Sequence, residues 1–315
     1  MTFVNEKPMT IPESLAADLA AKFGGKVREN ISLAPYTSAR IGGPADLLIT
    51  VNSADELAEI ISTLREAGAG YFILGGGSNI LVSDKGIRGI TVLNRAKAVH
   101  FDINEHPKVR AESGVIISNL ANRCASKGLA GLEWAATVPG TIGGAIYGNA
   151  GAFGGNTAAS LVWVELLTDA GREKWPVEKM AYGYRTSILK RGEINATVLS
   201  AEFTLKNATK EEVSVKIGGF SESRKASQPP GASMGSMFKN PPGDFAGRLI
   251  EAAGLKGTRI GKAEISPLHG NFFVNHGRTD AGDIRALIEL VQKTVKHKFG
   301  VELELEIELI GEWDR

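Results

Sequence analysis

The sequence predicts an α+β protein with more than one lobe. A strand–helix–strand segment over residues 46–74 passes into a run of short β segments instead of a regular strand–helix alternation. The 315 residues, 43% of them hydrophobic, can bury a sizeable core but exceed one average domain. A long amphipathic helix and an alternating apolar segment close the chain. We therefore expect two or three lobes.

In the first half of the chain, local signals predict three helices and several strands. An amphipathic helix is predicted over residues 13–23. Ser53 begins a second helix that runs to Glu66, with Glu56 completing a capping box and Gly68 following the end. A third helix over residues 116–127 ends at Gly128. Strands are predicted over residues 46–51, 71–74, 80–82, 89–93, 99–103 and 108–113.

The second half has strands over residues 161–167 and 197–205, followed by a polar break over residues 207–212. Residues 280–298 have the apolar spacing of a packed helix, and residues 301–309 alternate apolar residues with glutamates, as in a half-buried strand. The sequence thus predicts contiguous blocks: an N-terminal extension (1–30), a block of two subdomains (31–206, divided into about 31–70 and 71–206) and a smaller C-terminal lobe (207–315).

Composition narrows the classes of partner. Lys plus Arg (36) nearly balances Asp plus Glu (35), whereas general binders of nucleic acids or membrane surfaces are usually more lopsided. Cys124 is the single cysteine, so an internal disulfide and a multi-cysteine metal site are excluded, and we expect no metal. Glu6 and Lys7 interrupt any signal-peptide core, and no run of about 18 apolar residues occurs. We expect a cytoplasmic protein that binds neither nucleic acid nor membrane.

Glycine-rich loops are the most informative local feature. Such a loop after a strand can direct backbone N–H groups at a phosphate, although tight turns are the alternative. The first loop follows a predicted strand, and the second is longer. The G-x-G-x-x-G fingerprint is absent because Ile80 replaces its third glycine, and Ala263 after Gly261-Lys262 excludes a Walker loop. The candidate cofactor-binding residues are Gly75, Gly76, Gly77, Ser78 and Asn79 in the first loop, and Pro139, Gly140, Thr141, Gly143, Gly144 and Asn149 in the second.

Seven segments in matching order, between about Ser38 and Gly311, carry a resemblance to a known family. They cover residues 39–45, 74–81, 131–155, 184–187, 235–241, 253–257 and the closing segment. Together they resemble the FAD domain of the vanillyl-alcohol oxidase type and, within it, the UDP-N-acetylenolpyruvoylglucosamine reductase family. The resemblance implies a two-lobed FAD-binding domain plus a smaller C-terminal α/β substrate lobe. It also implies non-covalent FAD, NADPH as reductant, a UDP-sugar substrate and a monomer.

The same resemblance implies a reaction and the residues that carry it. Enzymes of this family reduce UDP-N-acetylglucosamine enolpyruvate to UDP-N-acetylmuramate in peptidoglycan biosynthesis. Arg185 and Glu306 would stabilise the negative charge left by hydride addition, and Ser236 would supply the final proton. Arg224, Lys239 and Asn240 would bind the substrate. Without the resemblance, these residues read as a surface arginine, a turn serine, one of four strand glutamates, and solvated polar groups.

Two other functions stay open at this point. One is an FAD-dependent oxidase of the same fold, which often holds its flavin covalently; release of all the yellow colour on denaturation would weaken that interpretation. The other is an FAD-binding module without turnover, whose flavin NADPH would not bleach. One departure from the family concerns the proton donor: Met234 stands before Gly235-Ser236, where the family often has alanine, and its bulk could alter how Ser236 points.

Overall fold

The computed structural model describes Ile11 and residues 13–313, which divide into two compact units. Within these residues, unit 1 comprises the stretches up to 29, 47–76 and 89–222, and unit 2 comprises 30–46, 77–88 and 223 onward. Each unit is assembled from separate segments, whereas the sequence predicts contiguous blocks. The assignment of functions to those blocks stays a prediction. Residues 1–10 and 12 lie outside the described residues. They contain Glu6 and Lys7, on which the signal-peptide prediction rests, and much of the predicted N-terminal extension.

The predicted helices 13–23, 53–66, 116–127 and 280–298 are confirmed to within two residues at each end. In the second of these, Ser53 Oγ accepts the Glu56 N–H at 3.1 Å, and the Glu56 carboxylate accepts the Asn52 N–H at 2.8 Å. No helix of the described chain is long and apolar enough to cross a lipid bilayer. The described helices are α1 (Glu13–Phe23), α2 (Ala54–Glu66), α3 (Ile117–Ala125), α4 (Ile142–Gly148), α5 (Thr157–Ser160), α6 (Lys210–Ser227), α7 (Ala246–Ala252) and α8 (Ala281–Phe299).

All the predicted strands before residue 206 are confirmed, with ends that differ by at most two residues. The described strands are β1 (Val27–Ser32), β2 (Pro44–Val51), β3 (Tyr71–Leu74), β4 (Ile80–Val82), β5 (Ile87–Asn94), β6 (Val99–Asp102), β7 (Lys108–Glu112), β8 (Leu129–Ala130), β9 (Gly151–Ala152), β10 (Gly155–Asn156), β11 (Leu161–Thr168), β12 (Gly171–Pro176), β13 (Thr197–Thr204), β14 (Lys206–Asn207), β15 (Arg259–Ile260), β16 (Ala263–Ile265), β17 (Phe273–Asn275) and β18 (Glu308–Ile310).

Two larger sheets have the orders β1-β2-β5-β3 and β12-β11-β13-β7-β6. The five-stranded sheet lies in unit 1 and its pairs are antiparallel, whereas β3 and β5 pair in parallel. Unit 2 contains the antiparallel sheet β15-β16-β17 and the parallel pair β18-β4. Mixed pairing with helices set between the sheet segments confirms the predicted α+β class.

Each unit has its own buried apolar clusters. In unit 1, one cluster joins the five-stranded sheet to α3 and α4, with Phe203 and Ile146 fully buried, and a second surrounds α2. In unit 2, α8 packs Ile284 and Leu287 into a cluster with Phe238 and Phe273. Burying such a side chain contributes roughly 1.5–3 kcal/mol. The loops described below are therefore mounted on packed elements.

The predicted strand over residues 301–309 is wrong, because β18 begins only at Glu308. Leu303 and Ile307 are buried and Glu304 is exposed, as alternation predicts, but Leu305 and Glu306 are both half-buried. The earlier residues, however, make only an isolated bridge between Leu305 and Phe238. The apolar residues of this segment can face the core without continuous backbone pairing to a neighbouring strand, so the sequence pattern alone does not specify a strand.

The polar stretch 207–212 contains the end of β14 and the first turn of α6. The division between compact units falls later, within α6, between Glu222 and Ser223. The use of residues 207–212 as a functional boundary stays a prediction.

Candidate active site

Unit 1 contains a cleft that encloses about 600 Å³ when its space open to solvent is counted. One wall carries four of the predicted cofactor residues: Gly75, Thr141, Gly143 and Gly144. Other walls carry Tyr71, Ile73, Leu189 and Val198, and the polar residues Asn94 and Ser113. A glycine-lined wall beside apolar walls suits a ligand with both phosphates and flat rings, as in FAD.

The two glycine-rich loops contact each other in unit 1. A Cβ atom at Gly75 would lie 2.5 Å from Thr141 Oγ1, and one at Gly76 would lie 2.9 Å from Gly140 Cα. Because such distances are shorter than real Cβ contacts, residues 75 and 76 must be glycine if the loops are to approach this closely. Residues 75 and 76 of the first loop therefore lie against residues 140 and 141 of the second, and their binding of one cofactor stays a prediction.

Helix α4 begins inside the second loop, with Thr141 as its N-cap. Its first amides are bonded within the chain: Ile142 N–H to Val115 O at 2.9 Å, and Gly143 N–H to Ser113 O at 2.8 Å. A Cβ at Gly143 would lie 3.2 Å from Ser113, so packing requires this glycine. A Cβ at Gly144 would meet only Thr141 Oγ1, at an ordinary 3.7 Å. Gly144 is thus the glycine whose missing side chain leaves cleft space open.

The turn that carries Arg185 is fixed to the end of α4. Asn149 Nδ2 donates to Gly183 O at 2.9 Å, and Ser187 Oγ donates to Tyr147 O at 2.6 Å. Arg185 lies in the left-handed region, with φ of 55°, and its guanidinium lies 5.6 Å from the centre of the exposed Tyr184 ring. A non-glycine residue held at positive φ is strained and is enriched at functional sites.

Asn149 stabilises the end of α4 and the segments that pack against it. It adopts the left-handed conformation that ends α4, its amide nitrogen bonds the Arg185 turn, and its amide oxygen accepts the Ala158 N–H at 3.1 Å. Its contact with a cofactor stays a prediction, as does that of the exposed Pro139.

Unit 2 brings Ser236 and Glu306 into one backbone network. Ser236, half-buried, forms an isolated bridge with Phe272, and the next residue, Met237, accepts the Glu306 N–H at 2.9 Å through its carbonyl. Gly235, at φ of 76°, makes the left-handed turn that precedes Ser236. The predicted proton donor and the predicted acid are therefore held in adjacent segments. Met234 is buried in the core of this unit.

Three predicted cofactor residues of the first loop also lie in unit 2. Asn79 Nδ2 donates to Glu306 O at 3.0 Å, and Asn79 O accepts the Glu308 N–H at 3.0 Å. A Cβ at Gly77 would lie 2.3 Å from Tyr36 O, so packing requires this glycine. Ser78 is half-buried between them. Asn79 positions the Glu306 segment, and flavin contacts of these three residues stay predictions.

The predicted substrate residues differ in what already binds them. Lys239 pairs with Glu304 at 3.0 Å, and Asn240 Oδ1 accepts the Ala246 N–H at 3.1 Å. Arg224 makes no ion pair with a carboxylate of the described chain, and burial lowers the pKa of its guanidinium. A desolvated cation without a protein anion suits an anionic ligand, so Arg224 is the strongest of the three.

Three polar side chains at these sites carry no sequence signal of their own. Asn94 and Ser113 line the cleft, are buried, and bond each other at 2.8 Å. Asn271, also buried, accepts the Phe238 N–H at 2.9 Å, two residues after Ser236. Each comes from a segment distant in the chain, and a single isolated Asn or Ser gives no pattern to detect.

Comparison with known proteins identifies two family models that match this chain. A family model described as an FAD binding domain matches residues 45–175, and one described as the UDP-N-acetylenolpyruvoylglucosamine reductase C-terminal domain matches residues 226–310. The first match contains both glycine-rich loops and confirms the FAD prediction. The second contains Ser236 and Glu306.

Relatives match over nearly the whole chain. The UDP-N-acetylenolpyruvoylglucosamine reductase of Chloroflexus aggregans is 44% identical over 290 residues, which cover 90% of this chain and 97% of that protein. The reductase of that name from Bacillus subtilis is 38% identical over 301 residues, covering 95% and 99%. The crystal structure of UDP-N-acetylenolpyruvylglucosamine reductase from Thermus caldophilus superposes with a TM-score of 0.75 at 35% identity, covering 90% and 99%. This chain belongs to the UDP-N-acetylenolpyruvoylglucosamine reductase family.

Proposed function

We propose that this chain catalyses the NADPH-dependent reduction of UDP-N-acetylglucosamine enolpyruvate to UDP-N-acetylmuramate, a step in peptidoglycan synthesis. The observation that carries the proposal is the backbone network of unit 2, in which Met237, next to Ser236, accepts the Glu306 N–H. A half-buried hydroxyl and a half-buried carboxyl on adjacent segments supply a proton donor and an acid. We further propose that the chain acts as a cytoplasmic monomer, which light scattering of the purified protein would test.

The residues of the unit 1 cleft fit FAD. Gly75, Thr141 and Gly144 would border its pyrophosphate, and the apolar walls at Ile73 and Leu189 would border its rings. When bound there, FAD would supply the hydride chemistry between NADPH and the methylene carbon of the enolpyruvyl group. The relatives carry the name of reductases, which favours this activity over that of an oxidase of the same fold.

The protein's part in the reaction is to stabilise charge and supply a proton. Hydride addition leaves negative charge that spreads toward the substrate carboxylate, so a cation and an acid must stabilise it. We assign these roles to Arg185, whose turn is bonded to Asn149 and Tyr147, and to Glu306, whose backbone is held by Asn79 and Met237. Ser236 then gives its proton to the neighbouring carbon of the substrate. Arg224 binds a substrate phosphate, assisted by Lys239 and Asn240.

Separating the two halves of the reaction tests the proposal. Protein reduced by NADPH without oxygen is mixed with the enolpyruvyl substrate while the flavin spectrum is followed. We expect rapid return of the oxidised spectrum, and persistence of reduced flavin would contradict the activity. Ser236→Ala should leave reduction by NADPH unchanged and slow reoxidation by roughly 10²–10⁴-fold. Ser233→Ala, in the same loop, is the matched control and should behave as the wild type.

A further inference from the structure

The side chain of Asn271 binds the segment that directly follows Ser236. Asn271 is 3% exposed. Its Oδ1 accepts the Phe238 N–H at 2.9 Å, and its Nδ2 donates to Phe238 O at 2.8 Å. Its backbone carbonyl also accepts the Met237 N–H at 2.9 Å. One residue therefore satisfies three polar backbone groups of Met237 and Phe238.

These bonds hold the backbone that directly follows Ser236, and we call them the Asn271 clamp. On the other side of Ser236, Gly235 makes a left-handed turn at φ of 76°, and Met234 before it is buried in the core. Pairing with Asn271 extends the isolated Ser236–Phe272 bridge by side-chain bonds that copy a strand partner. Ser236 therefore lies between a buried anchor and the clamp, and loosening the clamp would change the direction of its hydroxyl.

Asn271 is itself held from behind by His269. The Asn271 N–H donates to His269 Nδ1 at 3.2 Å, and the imidazole packs edge-to-face on Phe272, with ring centres 4.9 Å apart. Burial lowers the pKa of His269, which favours the neutral ring whose Nδ1 can accept this bond. The clamp is thus braced by contacts within the protein, through His269 and Phe272.

The clamp also reaches the Glu306 segment. The carbonyl of Met237, whose N–H Asn271 holds, accepts the Glu306 N–H at 2.9 Å. We propose that Asn271 is a positioning residue for proton transfer: it holds the Met237–Phe238 backbone so that Ser236 presents its hydroxyl in the reactive direction. This inference rests on the proposed function, in which Ser236 is the proton donor, and extends it to a residue that does not touch the substrate.

A double-mutant cycle on the two half-reactions tests the proposal. The variants are Asn271→Ala, Ser236→Ala and the double variant, with Asn271→Asp as a second, isosteric change that removes the donor to Phe238 O. We expect Asn271→Ala and Asn271→Asp to slow the limiting rate of reoxidation by the enolpyruvyl substrate roughly 10–100-fold, the size of effect that a 1 Å misplacement can cause. The rate of flavin reduction by NADPH and the Kd of the enolpyruvyl substrate should each change by less than roughly threefold. The double variant should be no slower than Ser236→Ala, because Asn271 acts through Ser236.

Two readouts separate positioning from a general loss of stability. Hydrogen exchange over residues 234–240 should become faster in Asn271→Ala, since the Phe238 N–H loses its side-chain acceptor and the neighbouring backbone is held less firmly. Asn275→Ala is the control, because Asn275 is a buried amide of the same chain segment whose side chain bonds Ala39 O and the Gly277 N–H instead. We expect it to lower thermal stability while keeping the wild-type ratio of the two half-reaction rates.

The outcomes are distinguishable. If wild-type reduced protein is not reoxidised by the enolpyruvyl substrate, the proposed function fails. If the wild type works but either folded Asn271 variant reoxidises at the wild-type rate, the positioning role is refuted while the function stands. Additive effects in the double variant also overturn it, since Asn271 would then act elsewhere. If Ser236→Ala reoxidises normally, the proton-donor role and the inference that depends on it both fall.

Discussion

Replacing Gly144 by alanine should change stability and FAD affinity in opposite directions. In the protein alone, the new Cβ meets only Thr141 Oγ1 at 3.7 Å, an ordinary contact, and position 144 lies within α4. Alanine in a helix is favoured over glycine by about 0.5–1 kcal/mol, so the protein without cofactor should become more stable. The same methyl group enters the cleft, where overpacking costs about 1–3 kcal/mol. This weakens FAD binding roughly 5- to 150-fold.

The assay for Gly144→Ala measures both quantities on one preparation stripped of flavin. Urea unfolding gives the stability, and titration with FAD while flavin fluorescence is followed gives the Kd. Gly148→Ala is the matched control: it lies in the same helix, its Cβ would meet nothing within 4 Å, and it does not line the cleft. We expect it to stabilise α4 to a similar extent without altering the Kd. An unchanged Kd in Gly144→Ala would show that FAD does not approach α4 and would refute the placement of the cofactor.

Three further changes test other features. Gly155→Ala would put a Cβ 2.5 Å from the buried Trp134 ring and should lower the free energy of unfolding by about 1–3 kcal/mol; an unchanged urea midpoint would contradict this packing. Burial raises the pKa of the Glu133 carboxyl, but backbone N–H groups and Lys216 outweigh burial and hold that pKa below its ordinary value. The ionised carboxylate should therefore stabilise the folded protein above pH ~4.3, and this stabilisation should be lost as the pH falls through the folded-state pKa. Glu133→Gln should therefore destabilise the protein at pH 7 and flatten that acid loss in urea unfolding at several pH values. Arg224→Ala should raise the KM for the sugar nucleotide roughly 10-fold or more without slowing flavin reduction by NADPH, and equal KM values would remove Arg224 from the substrate site.

Elements with strong local signals were predictable from the sequence. Helix α2 has a serine cap, an early glutamate and a terminal glycine, and α8 has a sustained apolar period. Helix α4 has no such pattern, because three of its seven residues are glycine. Its only helix signal in the sequence is the N-cap residue Thr141, and this helix was not predicted. The segment 301–309 misled in the opposite way, since alternating burial does not specify a strand partner.

The residues of the candidate sites differ in the same way: some have a local sequence signal and others have none. Short motifs identified Gly75, Thr141 and Ser236 as candidates. The glycines that let two backbones approach closely, and the segments that match the family, are runs of consecutive residues that can be recognised in the sequence. Contacts such as Asn94 with Ser113, or Asn271 with Phe238, join residues 19 and 33 positions apart, and nothing in the local sequence announces them. The same holds for Asn79, whose predicted role was cofactor binding and whose side chain holds the Glu306 backbone 227 residues away.

The direct contact between the two glycine-rich loops has a consequence for how the protein varies and assembles. Gly75 and Gly76 are required by close contacts with Thr141 and Gly140, so the folded chain itself holds this wall of the cleft in place. Cofactor capture then needs little loop ordering, which lowers the entropic cost of binding. It also means that positions 75 and 141 should vary together among relatives: a side chain at 75 should be tolerated only where residue 141 is smaller than threonine.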